Sequence, residues 1–405
     1  MLTWKSILKP RSDSIETMLE RRGFLLIGLP VSIILIAAGL GGFEIFRQFQ
    51  TLKPALLNST TATTTKSSVE DSTNSLHLIP PAEPVIAHVP VPEEVRGIYW
   101  TAETARIKRA EELRQYILKT GLNSVVIDLK MDNGQVVLPP QDIIDKLGQD
   151  GIYRIARLPV MRDSTYAKDH PDQAIKTTSG KLWTDKTGAH WLDPSRTEVA
   201  DAALDLARQA YEMGFDEIQF DYIRYASDGA LSTIAKTEAE KTKSKGDVMH
   251  DFFTHVGGTL KEEHIPVSFD LFGMTFLTAE DFGIGQRLED VYPNADYISP
   301  MVYPSHYWTG FQGFKNPAEH PYEVVKYSLD KGAEILKTDH FIEEDLSRPK
   351  FRPWIQDFDI GAVYTAAKIE AQIKAVRDAG ASGWILWNAR NVYEPANYLP
   401  EKPKV

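Results

Sequence analysis

Residues 94–400 alternate short apolar segments, rich in β-branched and aromatic residues, with longer amphipathic segments. This βαβα pattern is typical of a parallel sheet whose strands are connected by helices. Eight segments have the character of strands: 95–100, 122–129, 151–158, 216–223, 265–271, 295–302, 351–356 and 382–387. Five segments between them are predicted to be helices: 104–119, 196–213, 248–262, 321–337 and 364–379.

Eight strands in about 300 residues predict a (β/α)8 TIM barrel, which is an α/β fold. A doubly wound open sheet is the alternative. No glycine-rich phosphate-binding sequence follows the first strand, however, and this argues against dinucleotide binding. Longer connections at 159–194 and 303–318 follow predicted strands, on the side where a barrel places its active site.

The first 93 residues have a different composition from the barrel region. Residues 24–43 contain no charged side chain, and a helix of that length spans about 30 Å, the thickness of the bilayer hydrocarbon core. A cleavable signal peptide is the nearest alternative, but residues 1–23 are long for the n-region, which precedes the apolar segment of a signal peptide. We therefore predict a transmembrane signal anchor at 24–43, then a disordered Ser/Thr/Pro-rich linker at 44–93, and a TIM-barrel domain at 94–405.

Basic residues are more frequent before the predicted anchor than after it. Five precede it and three follow within a comparable distance: Lys5, Lys9, Arg11, Arg21 and Arg22, against Arg47, Lys53 and Lys66. The positive-inside rule then predicts a single-pass protein of the cell membrane, with a cytoplasmic N-terminus and an extracellular barrel. The net charge of −11 argues against a nucleic-acid partner.

Carboxylates and aromatic side chains gather at the ends of the predicted strands, which meet at the mouth of a barrel. Asp221 ends the fourth strand and Asp270 the fifth. The remaining candidates for substrate binding are Trp100, Asp128, Lys130, Arg224, Tyr303, Trp354, Asp357, Trp387 and Asn388. A single aspartate at a strand end often only caps a helix or turn. Repetition on successive strands, together with tryptophan, suits a sugar-binding cleft.

The segment GFDEIQFDYIRY at 214–225 resembles the fourth strand of a bacterial TIM-barrel family of glycosyl hydrolases, formerly a domain of unknown function. Other matching segments include VRGIYWTAETA at 95–105, LNSVVIDLKMDNGQV at 122–136, YRIARLPVMRD at 153–163, ISPMVYPSHY at 298–307 and GASGWILWNAR at 380–390. The resemblance covers nearly all of 94–400 in the expected order. It implies a TIM barrel that hydrolyses O-glycosyl bonds.

Two better-known groups of glycosidases match this strand less well. The strand motif of family 18 chitinases is D-G-x-D-x-D-x-E. Aligned with residues 216–223, this chain has Gln219 in place of an inner aspartate and Ile223 in place of the final glutamate. Because a hydrocarbon cannot protonate a leaving group, chitinase-type chemistry is disfavoured. In the α-amylase clan, catalytic acids lie at the ends of strands four and five. Asp221 and Asp270 occupy the same positions, but the sequence around them does not match the motif of that clan.

The absence of cysteine excludes a thiol nucleophile and leaves carboxylates as the catalytic groups. We therefore expect glycoside hydrolysis of a cell-wall or exopolysaccharide, with Asp221 as nucleophile or stabilising carboxylate and Asp270 as general acid/base. The pKa of such an acid must be raised by burial or by its neighbour's charge. Asp128 is the reserve carboxylate.

Several candidates have more than one expected role. Arg224 and Lys130 either keep Asp221 ionised or bind an anionic group on the sugar, and Arg224 equally suits a salt bridge at the barrel rim. Trp100 is the first choice as a platform for stacking on sugar, followed by Tyr303 and Trp354.

A carbohydrate-binding barrel of the cell envelope without catalytic activity is the alternative function. An enzyme of this kind needs Asp221 and Asp270 facing one cleft within about 10 Å of each other. No cofactor or metal is predicted, since His190 and His306 lie in no HxH or HExxH spacing. The predicted partners are a polysaccharide and the membrane, and the sequence does not indicate an oligomeric state.

Overall fold

The computed structural model describes residues 87–399. The predicted cytoplasmic segment, the anchor at 24–43 and most of the predicted linker lie outside these residues. No helix within 87–399 combines the length and the apolar character that crossing a membrane requires.

All eight predicted strands are confirmed, and they form one closed parallel barrel. The strands are β1 (Val95–Trp100), β2 (Ser124–Asp128), β3 (Tyr153–Pro159), β4 (Glu217–Asp221), β5 (Val267–Phe272), β6 (Tyr297–Met301), β7 (Trp354–Gln356) and β8 (Gly383–Trp387). Each strand pairs with the next, and β8 pairs with β1, with Val95 opposite Gly383, to close the ring. The (β/α)8 prediction is therefore confirmed for the described residues.

Ten α-helices occur between residues 87 and 399. They are α1 (Ala102–Ala105), α2 (Arg109–Thr120), α3 (Gln141–Gln149), α4 (Ser164–Asp169), α5 (Thr197–Glu212), α6 (Lys245–Glu262), α7 (Leu288–Val291), α8 (Pro321–His340), α9 (Glu344–Ser347) and α10 (Ala366–Asp378). The five predicted helices are present, although the first is divided into α1 and α2. Four helices were not predicted: α3, α4, α7 and α9. The longest of them, α3, has nine residues and buries Ile143, Ile144 and Leu147.

Strand side chains alternate between the barrel interior and the layer of helices outside it. In β1, Trp100 packs in the large core shared with the helices, whereas Tyr99 packs in a separate interior cluster with Tyr303, Trp354 and Ile385. This alternation decides which residues reach the mouth of the barrel.

A buried ion pair fills the barrel below its mouth. Glu217 and Arg352 are both 0% exposed and lie 2.6 Å apart. The Glu217 carboxylate also accepts hydrogen bonds from the hydroxyls of Tyr153 (3.0 Å) and Ser268 (2.5 Å). The Arg352 guanidinium lies 3.9 Å from the centre of the Tyr297 ring. A buried charge tolerates this position only because several partners surround it.

The last residues of the predicted linker contact the barrel at the end opposite its mouth. Arg154, at the start of β3, donates to the Ala87 carbonyl (3.0 Å), and the Val89 N–H donates to Asp216, which directly precedes β4 (2.7 Å). The ring of His88 stacks on Tyr211, with centroids 3.9 Å apart. The chain therefore enters the domain at the N-terminal ends of the strands.

The buried pair gives a prediction about stability. Arg352→Met leaves the Glu217 charge without its partner and should lower the free energy of unfolding by about 3–5 kcal/mol. Urea denaturation measures this loss, and the double variant Glu217→Gln/Arg352→Met should recover part of it. Arg208→Met is the matched control, because it breaks an exposed pair with Glu263 worth about 1 kcal/mol or less. An equal loss in the two single variants would contradict the prediction.

Candidate active site

A cavity of about 210 Å³ opens at the C-terminal ends of the strands. Six of the eleven predicted site residues line it: Asp221, Arg224, Asp270, Tyr303, Trp354 and Trp387. The other lining residues are Arg157, Tyr222, Phe272, Gly273, Met274, Met301 and His306. We refer to this cavity as the mouth pocket.

The guanidinium of Arg157 links the carboxylates at the base of the mouth pocket. Arg157, in β3, donates through Nη1 to Asp128 of β2 (2.6 Å) and through Nε to Asp221 of β4 (3.1 Å). Its Nη2 also bonds to Asp221. The same Nε lies 3.9 Å from Oδ2 of Asp270 in β5. One buried cation therefore faces carboxylates from three other strands.

These contacts limit the separation of the two predicted catalytic carboxylates. Oδ2 of Asp221 and Oδ2 of Asp270 lie 3.1 and 3.9 Å from the same nitrogen, Arg157 Nε, so they are at most 7.0 Å apart. Both residues line the mouth pocket. The structure thus brings them to one cleft at less than the separation of about 10 Å expected for two-carboxylate hydrolysis.

Asp221 is bound on both of its oxygens. Oδ2 accepts from Arg157, and Oδ1 accepts from the backbone N–H of Tyr222 at 2.5 Å. Tyr222 has a φ of 51°, a left-handed conformation that is uncommon for residues with a side chain. The backbone therefore adopts an unusual conformation at Tyr222, directly after β4. The N–H of Tyr222 binds the Asp221 carboxylate, and the Tyr222 side chain lines the pocket.

Asp270 has a different environment. Its side chain is almost fully buried, and Oδ1 accepts a hydrogen bond from Trp354 Nε1 at 2.7 Å. Oδ2 has no hydrogen-bond partner among the described residues. Burial, followed by the negative charge of Asp221, raises the pKa of Asp270 well above its usual range. This shift favours the protonated carboxylic acid, which is the form that can donate a proton.

Aromatic rings form one side of the mouth pocket. Trp387 stacks on Tyr99 with ring centroids 4.1 Å apart and meets Trp354 edge-on at 5.4 Å. Arg157 lies 5.3 Å from the centre of the Trp387 ring. Rings of this kind present apolar faces on which a sugar ring can stack.

Five predicted site residues do not line the mouth pocket, and Trp100, Lys130 and Asp128 are three of them. The prediction of Trp100 as a stacking platform is wrong, because Trp100 faces the helices and is 0% exposed. Lys130 pairs with Asp163 at 2.7 Å instead of contacting Asp221. Asp128 accepts hydrogen bonds from Arg157 and from the Tyr99 hydroxyl and thus lies behind the pocket wall.

Asp357 and Asn388 hold the loop that follows β8 and do not line the mouth pocket either. Asp357 accepts from the backbone N–H of Glu394 at 3.1 Å, and Asn388 donates to the Val392 carbonyl at 2.5 Å. Burial raises the pKa of Asp357 to about 7. The hydrogen bonds of Asp357 and Asn388 to this loop explain why both residues are polar without any contact with substrate.

Arg157, Tyr99 and Tyr222 are the functional residues that the sequence predictions left out. A signal for Arg157 exists, because it shares the inward-facing phase of β3 with Tyr153 and Ile155. A charged residue in that phase needs oppositely charged partners from neighbouring strands. Within residues 87–399, no group of three or more His, Asp or Glu side chains is placed to hold a metal ion.

Residues 97–393 match the protein family described as "Putative glycosyl hydrolase domain". The chain belongs to this family, and the family resemblance noted in the sequence is confirmed. No curated protein sequence matches the chain at a significant level.

Three solved structures illustrate what this chain is similar to. The PgaB (BpsB) glycoside hydrolase domain from Bordetella bronchiseptica is 13% identical, with a TM-score of 0.53 over 73% of this chain and 94% of that one. The spore cortex-lytic enzyme SleL from Bacillus megaterium is 11% identical, with a TM-score of 0.48 over 76% and 73% of the two chains. A hypothetical protein from Ruminiclostridium thermocellum is 25% identical, with a TM-score of 0.38 over 43% and 96%. The similarity to the Bordetella domain shows a shared fold.

Proposed function

We propose that this protein hydrolyses glycosidic bonds in a cell-wall or exopolysaccharide, using Asp221 and Asp270 as its two catalytic carboxylates. The observation that carries the proposal is the difference between them within one pocket. Asp221 lies against the cation of Arg157, whereas Asp270 is buried with a raised pKa and an unpartnered oxygen. Glycoside hydrolysis requires one charged and one protonated carboxyl group beside the same bond.

The roles follow from these environments. Asp270 donates the proton on its carboxyl group to the glycosidic oxygen as the bond from that oxygen to the anomeric carbon breaks. Asp221 meets the positive charge that develops on the sugar, either by bonding to the anomeric carbon or by stabilising the charge. Water then bonds to the anomeric carbon, displacing Asp221 where it has bonded there, and gives a proton to the Asp270 carboxylate. Trp387 offers a ring for stacking on the sugar.

The proposed location is the outer face of the cell membrane. It rests on the uncharged segment 24–43 and on the excess of basic residues before it.

Removing either carboxylate should abolish most of the activity. We expect Asp221→Asn to lower kcat/KM by about 1,000-fold or more. Asp270→Asn should lower it by about 100- to 10,000-fold on an ordinary sugar linkage, and by much less on an aryl glycoside whose leaving group needs no proton. The assay incubates the full-length protein with cell-wall and exopolysaccharide fragments and measures reducing ends and product masses.

Asp205→Asn is the matched control, because it makes the same change on the exposed face of α5. Unchanged turnover in Asp221→Asn would show that the role assignment is wrong. Binding of saccharide without any product would instead indicate the non-catalytic carbohydrate-binding barrel.

The hydrogen bond from Trp354 to Asp270 predicts a shift in pH dependence. The bond favours the charged form of Asp270, so its removal in Trp354→Phe should raise the pKa of that carboxyl group further. Because the reaction needs Asp270 protonated, the alkaline decline of kcat/KM should move to higher pH. A pH profile of wild type and variant on one substrate measures this shift. Movement to lower pH would contradict the assignment of Asp270 as the acid.

A further inference from the structure

Arg224 is held in the wall of the mouth pocket by neutral groups. Its guanidinium lies 5.1 Å from the ring centre of Trp191 and 5.4 Å from that of Tyr222. Its Nη1 donates to the Tyr225 carbonyl (3.0 Å) and to the Ser227 hydroxyl (3.2 Å). These contacts fix the orientation of the side chain but supply no negative charge.

The opposite edge of the Arg224 guanidinium is unused. Within residues 87–399, Nε and Nη2 form no hydrogen bond, and no carboxylate lies within salt-bridge distance. The N–H groups of these two nitrogens point in the same direction, which matches the two oxygens of a carboxylate. A planar donor pair is therefore available on a residue that lines the pocket.

The other arginines near the pocket have acidic partners. Arg157 bonds to Asp128 and Asp221, and Arg162 pairs with Asp132 and Asp185. Asp221 already receives its countercharge from Arg157, so it does not require Arg224. The sequence alone left three roles for Arg224. Within residues 87–399 it forms no salt bridge with Asp221 or at the rim, and Asp221 and Asp228 attract it only from beyond salt-bridge distance.

An unpaired cation in a partly buried position costs free energy. Burial lowers the pKa of Arg224, which reflects the loss of hydration around the guanidinium. An anion bound beside it would restore the missing interaction. Arginine is well suited to such a site, because its charge persists and its donors are fixed in one plane.

We propose that the mouth pocket binds an acidic saccharide whose carboxylate is held by the Nε and Nη2 groups of Arg224. This inference rests on the proposed function, since it names the substrate class of the same pocket. The carboxylate belongs either to a uronic acid ring or to an acidic ether on an amino sugar, and both present the same two oxygens to the guanidinium.

Calorimetric titration of the full-length protein tests the proposal with two pairs of probes. The first pair is tetragalacturonate and its fully methyl-esterified form, and the second is N-acetylglucosaminyl-N-acetylmuramic acid and N,N′-diacetylchitobiose. We expect the acidic member of at least one pair to bind with a Kd at least about tenfold lower than its neutral counterpart. The pair that shows this preference identifies the source of the carboxylate.

Three variants assign the preference to the guanidinium. Arg224→Gln should remove it while leaving the Kd of the neutral probe within about twofold, and Arg224→Lys should retain only part of it, because lysine lacks the planar donor pair. Arg208→Gln on the exposed face of α5 is the matched control and should keep the full preference. Equal binding of acidic and neutral members in both pairs, or a preference that survives in Arg224→Gln, would overturn the proposal.

The two proposals can fail separately. If hydrolysis depends on Asp221 but acidic saccharides show no Arg224-dependent preference over neutral ones, only the proposed substrate class is refuted. A preference for acid that depends on Arg224, without hydrolysis of any saccharide, would refute only the catalytic function.

Discussion

The guanidinium of Arg157 is the interaction on which the candidate site depends. It joins Asp128 and Asp221 directly and lies 3.9 Å from Asp270, so carboxylates from three other strands share one buried cation. One arginine and three carboxyl groups cannot occupy the inside of a barrel without compensating one another. The parallel register supplies this compensation, because Arg157 lies opposite Asp128 on β2 and opposite Gln219 on β4, two residues before Asp221.

The same principle operates lower in the barrel. There Glu217 and Arg352 form a fully buried pair that Tyr153 and Ser268 complete with hydrogen bonds. Charges are thus paired at two levels of the interior, while the helices outside are packed mainly through apolar side chains. Among the carboxyl groups of Glu217, Asp128, Asp221 and Asp270, only that of Asp270 has a buried oxygen without a hydrogen-bond partner in the described part of the chain. This carboxyl group is the acid of the proposed mechanism.

The sequence predicted the eight strands because β-rich segments and amphipathic segments alternate clearly over 94–400. It did not show which face of each strand points inward. In VRGIYW every residue after Arg96 is buried. The sequence therefore could not show whether Tyr99 or Trp100 faces the barrel interior, because that depends on how the closed barrel is built. Arg157 was not chosen as a site residue for a related reason: its partners come from β2 and β4, and their register depends on the whole barrel. Helix α3 was missed because nine residues give only a short periodic signal.

The account requires that Asp270 carries a proton at neutral pH while Asp221, beside it, does not. Carboxyl ¹³C NMR of protein labelled at aspartate, with the two signals assigned from Asp270→Asn and Asp221→Asn, measures this directly. We predict that at pH 7 the Asp270 signal has the chemical shift of a protonated acid and the Asp221 signal that of a carboxylate. Two carboxylate shifts at pH 7 would contradict the account, because neither group could then protonate the leaving sugar.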